Sequence, residues 1–161
     1  SPGRGKEWTR KMHLSQFEDI LDQIKPKYGT PQINLEGSGE PTMAKDLDKY
    51  IAAVKKRGLK AYMYTNAFRL EGDYMKRVVD AGIDFIRCSV IGYNPEKYRH
   101  LMAADNFDKV RQNVIELQDY ISNSSSSAEV SSYHLITDNG RVDYEVGQYH
   151  ANFITKTGTK A

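Results

Sequence analysis

Short β-type segments alternate with amphipathic segments along this chain, and that alternation limits the folds open to it. Strands are predicted at 32–35, 59–65, 83–90 and about 128–136, and a segment with helical spacing separates each from the next. A strand, a helix and a second strand in succession form a right-handed crossover between parallel strands. The pattern therefore predicts an α/β fold with a parallel sheet.

Apolar residues at helical spacing mark five predicted helices. The first is predicted to begin at a capping box of Ser15 and Glu18. Gly58, Gly82 and Gly158 are predicted to end the second, third and fifth. The apolar faces expected of the second to fifth helices are Leu47, Tyr50, Ile51 and Val54; Met75, Val78 and Val79; Phe107, Val110, Val114, Leu117 and Ile121; and Val142, Val146, Tyr149, Phe153 and Ile154.

The balance of charges and the single cysteine exclude several classes of function. The chain has 161 residues, 23 Lys and Arg against 21 Asp and Glu, and a formal net charge of +2. Because no long block of like charge stands out, nucleic acid is not expected as a partner. Cys88 alone allows neither a disulfide framework nor a metal site of several cysteines from this chain. With no apolar run of about 18 residues and one cysteine, we expect a cytoplasmic protein with no membrane partner.

The turn after the first predicted strand, Glu-Gly-Ser-Gly-Glu-Pro at 36–41, is the most informative motif. Gly37 and Gly39 carry no Cβ, so a ligand can approach the main chain closely. Pro41 lacks a backbone donor and favours an extended conformation for Glu40, which aims its carboxylate. Acceptors without matching donors suit a cationic ligand such as an ammonium group. Taken alone, the same string is also typical of an ordinary turn.

Polar residues follow the other predicted strands at the same end. These are Asn66, Ser89 with an expected loop to Arg99, and residues 137–139. Because ligands of parallel α/β folds bind at the carboxyl ends of the strands, we expect one polar mouth over an apolar barrel. A ligand with an amine, a carboxylate and hydroxyls would fit. Glu40 would take the amine, Arg99 the carboxylate as a bidentate donor, and Ser89 and Asn66 the hydroxyls.

These motifs resemble those of the radical S-adenosylmethionine (SAM) superfamily, in the same order along the chain. The turn at 35–41 resembles the Gly-Gly-Glu-Pro motif, and Tyr64-Thr65-Asn66 resembles a Thr-Asn-Gly strand end, with Ala67 where glycine is usual. The other similar segments are Ile86-Arg87-Cys88-Ser89-Val90, which resembles the strand that presents a serine to the ribose; Tyr98-Arg99-His100-Leu101, which resembles the segment whose arginine contacts the methionyl carboxylate; and Ile136-Thr137-Asp138-Asn139, which resembles the end of strand five.

The resemblance implies a partial (β/α)₆ TIM-like barrel, with residues 1–161 as one partial core domain and the first and final strands outside the chain. In such enzymes a [4Fe-4S] cluster reductively cleaves SAM, and the 5′-deoxyadenosyl radical abstracts hydrogen from a substrate. It implies that Gly37, Ser38, Gly39 and Glu40 hold the SAM amine. The remaining implied SAM contacts are Asn66 and Ser89, at hydroxyls, and Arg99. The implied partners are a small-molecule or peptide substrate and an electron donor such as flavodoxin or ferredoxin.

The cluster motif of this family, Cys-x-x-x-Cys-x-x-Cys, is absent from the sequence. We expect its ligands upstream of Ser1, and we expect the chain by itself to hold no cluster and to cleave no SAM. Cys88 lies in another βα unit and is expected to be a buried structural thiol. The four histidines share no metal-ligand spacing and predict no zinc site.

Two other functions fit the same residues. A barrel enzyme without a cluster could use Glu40 as a general base, and a non-catalytic module could bind SAM or a partner protein. Tyr62 and Tyr64 are expected to pack in the barrel wall. The substrate is open: peptide modification, sugar chemistry and cofactor biosynthesis all remain.

Overall fold

The computed structural model describes residues 12–24, 31–37, 39–137 and 140–154. Helices and strands alternate through most of this part of the chain. In chain order the elements are α1 Leu14–Asp22, β1 Gln32–Asn34, a 3₁₀ turn Pro41–Met43, α2 Leu47–Lys56, β2 Lys60–Thr65, α3 Gly72–Asp80, β3 Phe85–Ser89, α4 Pro95–Met102, α5 Phe107–Asn123, β4 Glu129–Tyr133 and α6 Val142–Phe153.

The strands form one sheet in the order β1-β2-β3-β4, and all neighbouring pairs are parallel. Asn34 lies beside Tyr62, Tyr62 beside Phe85, and Phe85 beside Glu129. Each crossover moves the chain one strand further in the same direction, as in a barrel, whereas a doubly wound sheet reverses its order. The predicted α/β fold with a parallel sheet is confirmed, and its topology is that of a partial TIM-like barrel.

One face of the sheet, the covered face, packs against the helices. β2 buries Ala61, Met63 and Thr65 on it, and β3 buries Ile86 and Cys88. Burial of each larger aliphatic side chain contributes roughly 1.5–3 kcal/mol. The predicted helix residues that join this core are Leu47, Tyr50, Ile51, Val54, Met75, Val78, Val79, Phe107, Val110, Val114, Leu117, Tyr149 and Phe153, while Ile121, Val146 and Ile154 are half-buried and Val142 is exposed.

The opposite face, the open face, carries every second residue of the strands. Its Tyr62 and Phe85 rings contact each other at 5.2 Å. The predicted apolar barrel interior fits this face only in part. Strand residues alternate between the two faces, so aromatic rings share the open face with polar side chains while the buried aliphatic strand residues lie on the helix side. We define the open face by Asn34, Tyr62, Tyr64, Phe85, Arg87, Ser89, Glu129, Ser131 and Tyr133.

Two helix starts differ from the prediction. The segment expected to be a loop between Ser89 and Arg99 contains α4, which Asn94 caps by accepting a hydrogen bond from the Lys97 N–H at 2.9 Å. Pro95 occupies the first helical position, where its missing N–H is not needed.

The capping box of Ser15 and Glu18 is also wrong. α1 begins at Leu14, and the His13 N–H donates to Gln16 Oε1 at 3.2 Å. The predicted helix end at Gly158 lies outside the described residues. In the described part of the chain, every helix is too short or too polar to cross a membrane.

Candidate functional site at the strand ends

Glu40 joins the turn after β1 to the end of β2. Its Oε1 accepts hydrogen bonds from the Thr42 N–H at 3.1 Å, the Thr42 hydroxyl at 2.6 Å and the Thr65 hydroxyl at 2.6 Å. Its Oε2 accepts from the Asn66 N–H at 2.8 Å. We call Glu40, Thr42, Thr65 and Asn66 the Glu40 clamp. Hydrogen bonds to an ionised carboxylate are stronger than neutral ones, so this clamp fixes the turn relative to β2.

The clamp limits what the Glu40 carboxylate can do chemically. A carboxylate has about four lone-pair positions, and Oε1 already receives three donors while Oε2 receives one. A cationic ligand would therefore meet Oε2. Proton abstraction by Glu40 would compete with these bonds, which weighs against the general-base alternative.

The backbone of the turn is accessible from one side. Gly37 and Gly39 are exposed, and an added Cβ would meet no atom within 4 Å at either position. Gly37 has no positive φ, so its own conformation does not require glycine. Both glycines line a cavity of about 300 Å³ with Glu40 and residues of α1 and α2. Ser38, the remaining predicted contact in the turn, lies outside the described residues.

The end of β2 forms a tight turn that uses the side chain of Asn66. Its Oδ1 accepts from the Phe68 N–H at 3.0 Å, which leaves its amide nitrogen to meet a ligand hydroxyl. Ala67 has a φ of 59°, a conformation that glycine adopts without strain. A glycine, the usual residue at this place in the resembling motif, would adopt the same φ without strain. Asn113 holds the turn from α5 by donating to the Ala67 carbonyl at 2.8 Å.

Ser89 and Arg99 are placed differently from each other. Ser89 ends β3 on the open face, half-buried and in register with Tyr133, where its hydroxyl can meet a ligand. Arg99 lies on α4, and its side chain is 58% exposed and donates to Asp105 at 2.8 and 3.1 Å. Such exposed pairs contribute at most about 1 kcal/mol. The described contacts bring Glu40 and Asn66 together but do not bring Arg99 to them.

A second carboxylate, Glu145, fixes the loop that follows β4. It is fully buried, and its Oε1 accepts from the Thr137 hydroxyl at 2.8 Å and lies 2.7 Å from His134 Nε2. The Gly92 N–H donates to His134 Nδ1 at 3.1 Å, which assigns the ring proton to Nε2. Sequence reasoning missed this network, which ties the loops after β3 and β4 to α6.

Cys88 faces the helices and is fully buried. Burial, with a smaller effect of the Glu40 carboxylate, raises the pKa of the Cys88 thiol to about 12. It is therefore a protonated thiol and a poor metal ligand. Among the described residues no three His, Cys, Asp or Glu side chains form a possible metal site. The single cysteine of the sequence cannot supply the three thiolates of a [4Fe-4S] cluster.

Comparison with known protein families gives one match that covers most of the chain. The model of the Radical SAM superfamily matches residues 2–136.

Several curated proteins are also similar to this chain. A "Probable GTP 3′,8-cyclase" of Thermococcus kodakarensis is 27% identical over 156 residues, which is 96% of this chain and 48% of that protein. A protein of the same name from Methanococcus maripaludis strain C5 is 28% identical over 113 residues, 70% of this chain and 37% of that protein. An "Fe-coproporphyrin III synthase" of Methanosarcina barkeri is 26% identical over 100 residues, 61% of this chain and 25% of that protein. The chain thus spans half or less of the length of these relatives.

Proposed function

Because this chain belongs to the Radical SAM superfamily, we propose that the complete protein binds SAM at the strand ends and cleaves it reductively. The 5′-deoxyadenosyl radical would then abstract hydrogen from a substrate. The observation that carries this proposal is the Glu40 clamp, which fixes an accessible Gly-x-Gly turn beside the end of β2. Ser89 on the next strand supports it, because its hydroxyl lies on the open face at the same end of the sheet.

Each residue of the site has a proposed role. The main chain at Gly37 and Gly39 and the Oε2 of Glu40 accept from the methionyl amine. The Ser89 hydroxyl and the amide of Asn66 contact the sugar hydroxyls. Arg99 would reach the methionyl carboxylate only by giving up its exposed pair with Asp105. These contacts would hold SAM in one orientation, which is the part of the reaction that this chain can perform.

The electron for SAM cleavage requires a [4Fe-4S] cluster, and these residues do not hold one. We propose that its three cysteines lie upstream of Ser1 in the complete gene, as a Cys-x-x-x-Cys-x-x-Cys sequence. We further propose a cytoplasmic protein that takes electrons from a flavodoxin or ferredoxin, with no nucleic-acid or membrane partner. An upstream coding sequence without a cysteine triad would contradict the cluster proposal.

The names of the relatives do not assign a substrate. One set is named for GTP and another for a porphyrin, although both are about equally similar to this chain. We therefore propose a small molecule or a peptide as the substrate.

The test is anaerobic reconstitution of the complete gene product with iron and sulfide, followed by dithionite and SAM. We expect iron-dependent 5′-deoxyadenosine, measured by mass spectrometry. A loaded cluster without deoxyadenosine contradicts the proposed function. SAM binding in that case would point to a non-catalytic binding module, and turnover without iron to the cluster-free enzyme.

A further inference from the structure

Arg87 lies at the centre of the open face. In register it stands between Tyr64 on β2 and Ser131 on β4. It precedes Ser89 by two residues on the same strand, so its Cα lies about 6.6 Å further from the strand end. A ligand that touches Arg87 must therefore reach below the ring of polar strand ends.

Three aromatic rings surround the Arg87 guanidinium. Its Cζ lies 5.2 Å from the Tyr64 ring centroid, 5.8 Å from Tyr133 and 5.9 Å from Phe85. Contacts of this kind stabilise a cation over the ring faces. They do not use the N–H groups, which point outward in the guanidinium plane.

Those N–H groups find no acceptor in the described part of the chain. Arg87 makes no hydrogen bond or ion pair there, although it is half-buried. Other basic side chains do: Lys55 pairs with Asp84 at 2.6 Å and Arg57 with Asp22 at 2.6 Å. Glu129, the carboxylate on the neighbouring strand, lies on the same face, in register with Phe85 and thus two residues away from the Arg87 level.

No Arg87 nitrogen is a fully buried donor, so these N–H groups face solvent and a ligand can reach them from the open face. A guanidinium whose faces are held by rings presents a planar fork of donors, which matches two oxygens of a carboxylate or phosphate. The aromatic rings around it offer surface on which an apolar or planar part of the same ligand can pack. The open face is therefore suited to a ligand that joins an oxyanion to such a group.

We propose that Arg87 binds an oxyanion of the substrate, a carboxylate or a phosphate, on the open face below Ser89. The assignment of that oxyanion to a substrate rests on the proposed function; the oxyanion site itself rests on the geometry of Arg87. It makes Arg87 a residue that determines substrate specificity, and it narrows the substrate class to anionic compounds.

The first test measures how fast phenylglyoxal modifies Arg87 in the complete gene product, by mass spectrometry of peptides. Pyrophosphate and malonate are the phosphate and carboxylate probes, and Arg77 is the internal control. Arg77 also lies over a ring, that of Tyr74 at 5.6 Å, but it is exposed on α3. We expect one probe to slow modification at Arg87 at least threefold and to leave Arg77 unchanged. The probe that protects identifies the oxyanion class.

Protection of neither residue, or equal protection of both, would overturn the proposal. Protection by SAM alone would assign Arg87 to the cofactor and would overturn it too. This readout needs no SAM cleavage. If the complete protein forms no deoxyadenosine but Arg87 is still protected, the proposed function is contradicted and the oxyanion site is supported.

The second test uses matched variants. Arg87→Met should weaken binding of the protecting probe at least tenfold by calorimetry, whereas Arg77→Met should leave it unchanged. Arg87→Lys, which keeps the charge, should retain weakened binding and serves if Arg87→Met does not fold. Equal affinity of Arg87→Met and the wild-type protein for the protecting probe would contradict the proposal.

Discussion

The two faces of the sheet differ in whether their polar groups have hydrogen-bond partners, and two neighbouring residues of β3 show this difference. Cys88 is on the covered face, fully buried and beside the Glu40 clamp, in which each donor has its acceptor. Arg87 is on the open face, held by rings and without an acceptor among the described residues. The contrast indicates that the covered face stabilises the fold, whereas the open face keeps binding capacity for a ligand.

The largest expected difference between the faces is in thiol reactivity. At pH 8 the native Cys88 thiol should react with iodoacetamide at least ~100-fold slower than a thiol on the open face, because it is buried and protonated. The matched comparison is Ser89→Cys in a Cys88→Ala background, followed by mass spectrometry. Similar rates at the two positions would show that the covered face is not closed.

The same burial predicts how stability depends on pH. The pKa of the Cys88 thiol is raised from 9.0 to about 12. Its full contribution to the free energy of unfolding is therefore present below pH 9. It is lost as the pH rises from there towards 12, because the unfolded thiol ionises first. Denaturation between pH 8 and 11 should show this loss, and Cys88→Ala should reduce it. Burial also raises the pKa of Tyr74 to about 12, so part of the pH dependence of the stability will remain in Cys88→Ala.

Removal of the Glu40 carboxylate should be the most destabilising change at the clamp. Glu40→Ala leaves four donors without their acceptor and should lower the free energy of unfolding by about 2–3 kcal/mol. Glu40→Gln keeps an acceptor oxygen and should cost about 1 kcal/mol. Urea denaturation measures both. A loss below about 0.5 kcal/mol in Glu40→Ala would mean that the clamp does not stabilise the turn.

Thr65→Val should cost about 1–2 kcal/mol, because it removes a buried hydroxyl that donates to Glu40 and accepts from the Ala67 N–H at 3.0 Å. If the clamp acts as a unit, the effects of Thr65→Val and Glu40→Gln will not add in the double variant. Strict additivity in urea denaturation would contradict a shared network.

Arg87→Met should have the smallest effect on stability, no more than about 1 kcal/mol, since it removes only ring contacts. Arg77→Met supplies the reference for an exposed arginine over one ring. A loss as large as that of Glu40→Ala would show that Arg87 is needed for folding, and the contrast between the two faces would fail.

Sequence periodicity was enough to predict the helix and sheet layers of this fold. It did not predict which polar residues meet on each face of the sheet. The helix stripes and the strand order follow from local spacing, which acts over a few residues. α4 was missed although Asn94-Pro95 is a common helix start, because its apolar stripe is weak. The hydroxyl of Thr65 meets Glu40 only after β1 and β2 pair, a contact between residues 25 positions apart that no local pattern encodes.

The open face illustrates the same limit. Aromatic and polar residues at alternate positions of β2 and β3 do indicate a face that is not packed in the core. That Tyr64 and Tyr133 come to lie around Arg87 depends on the register of three strands, which spacing alone does not determine. Glu145 and His134 likewise meet through the loop and helix that follow β4.

The most direct test of SAM binding at the strand ends is the position of SAM in an anaerobic crystal structure of the complete, reconstituted protein. We predict the methionyl amine at the turn of Gly37 to Glu40 and the ribose beside Ser89, with the Glu40 clamp unchanged. SAM bound away from the ends of β1, β2 and β3, or bound there only after Glu40 has left Thr65 and Asn66, would contradict it.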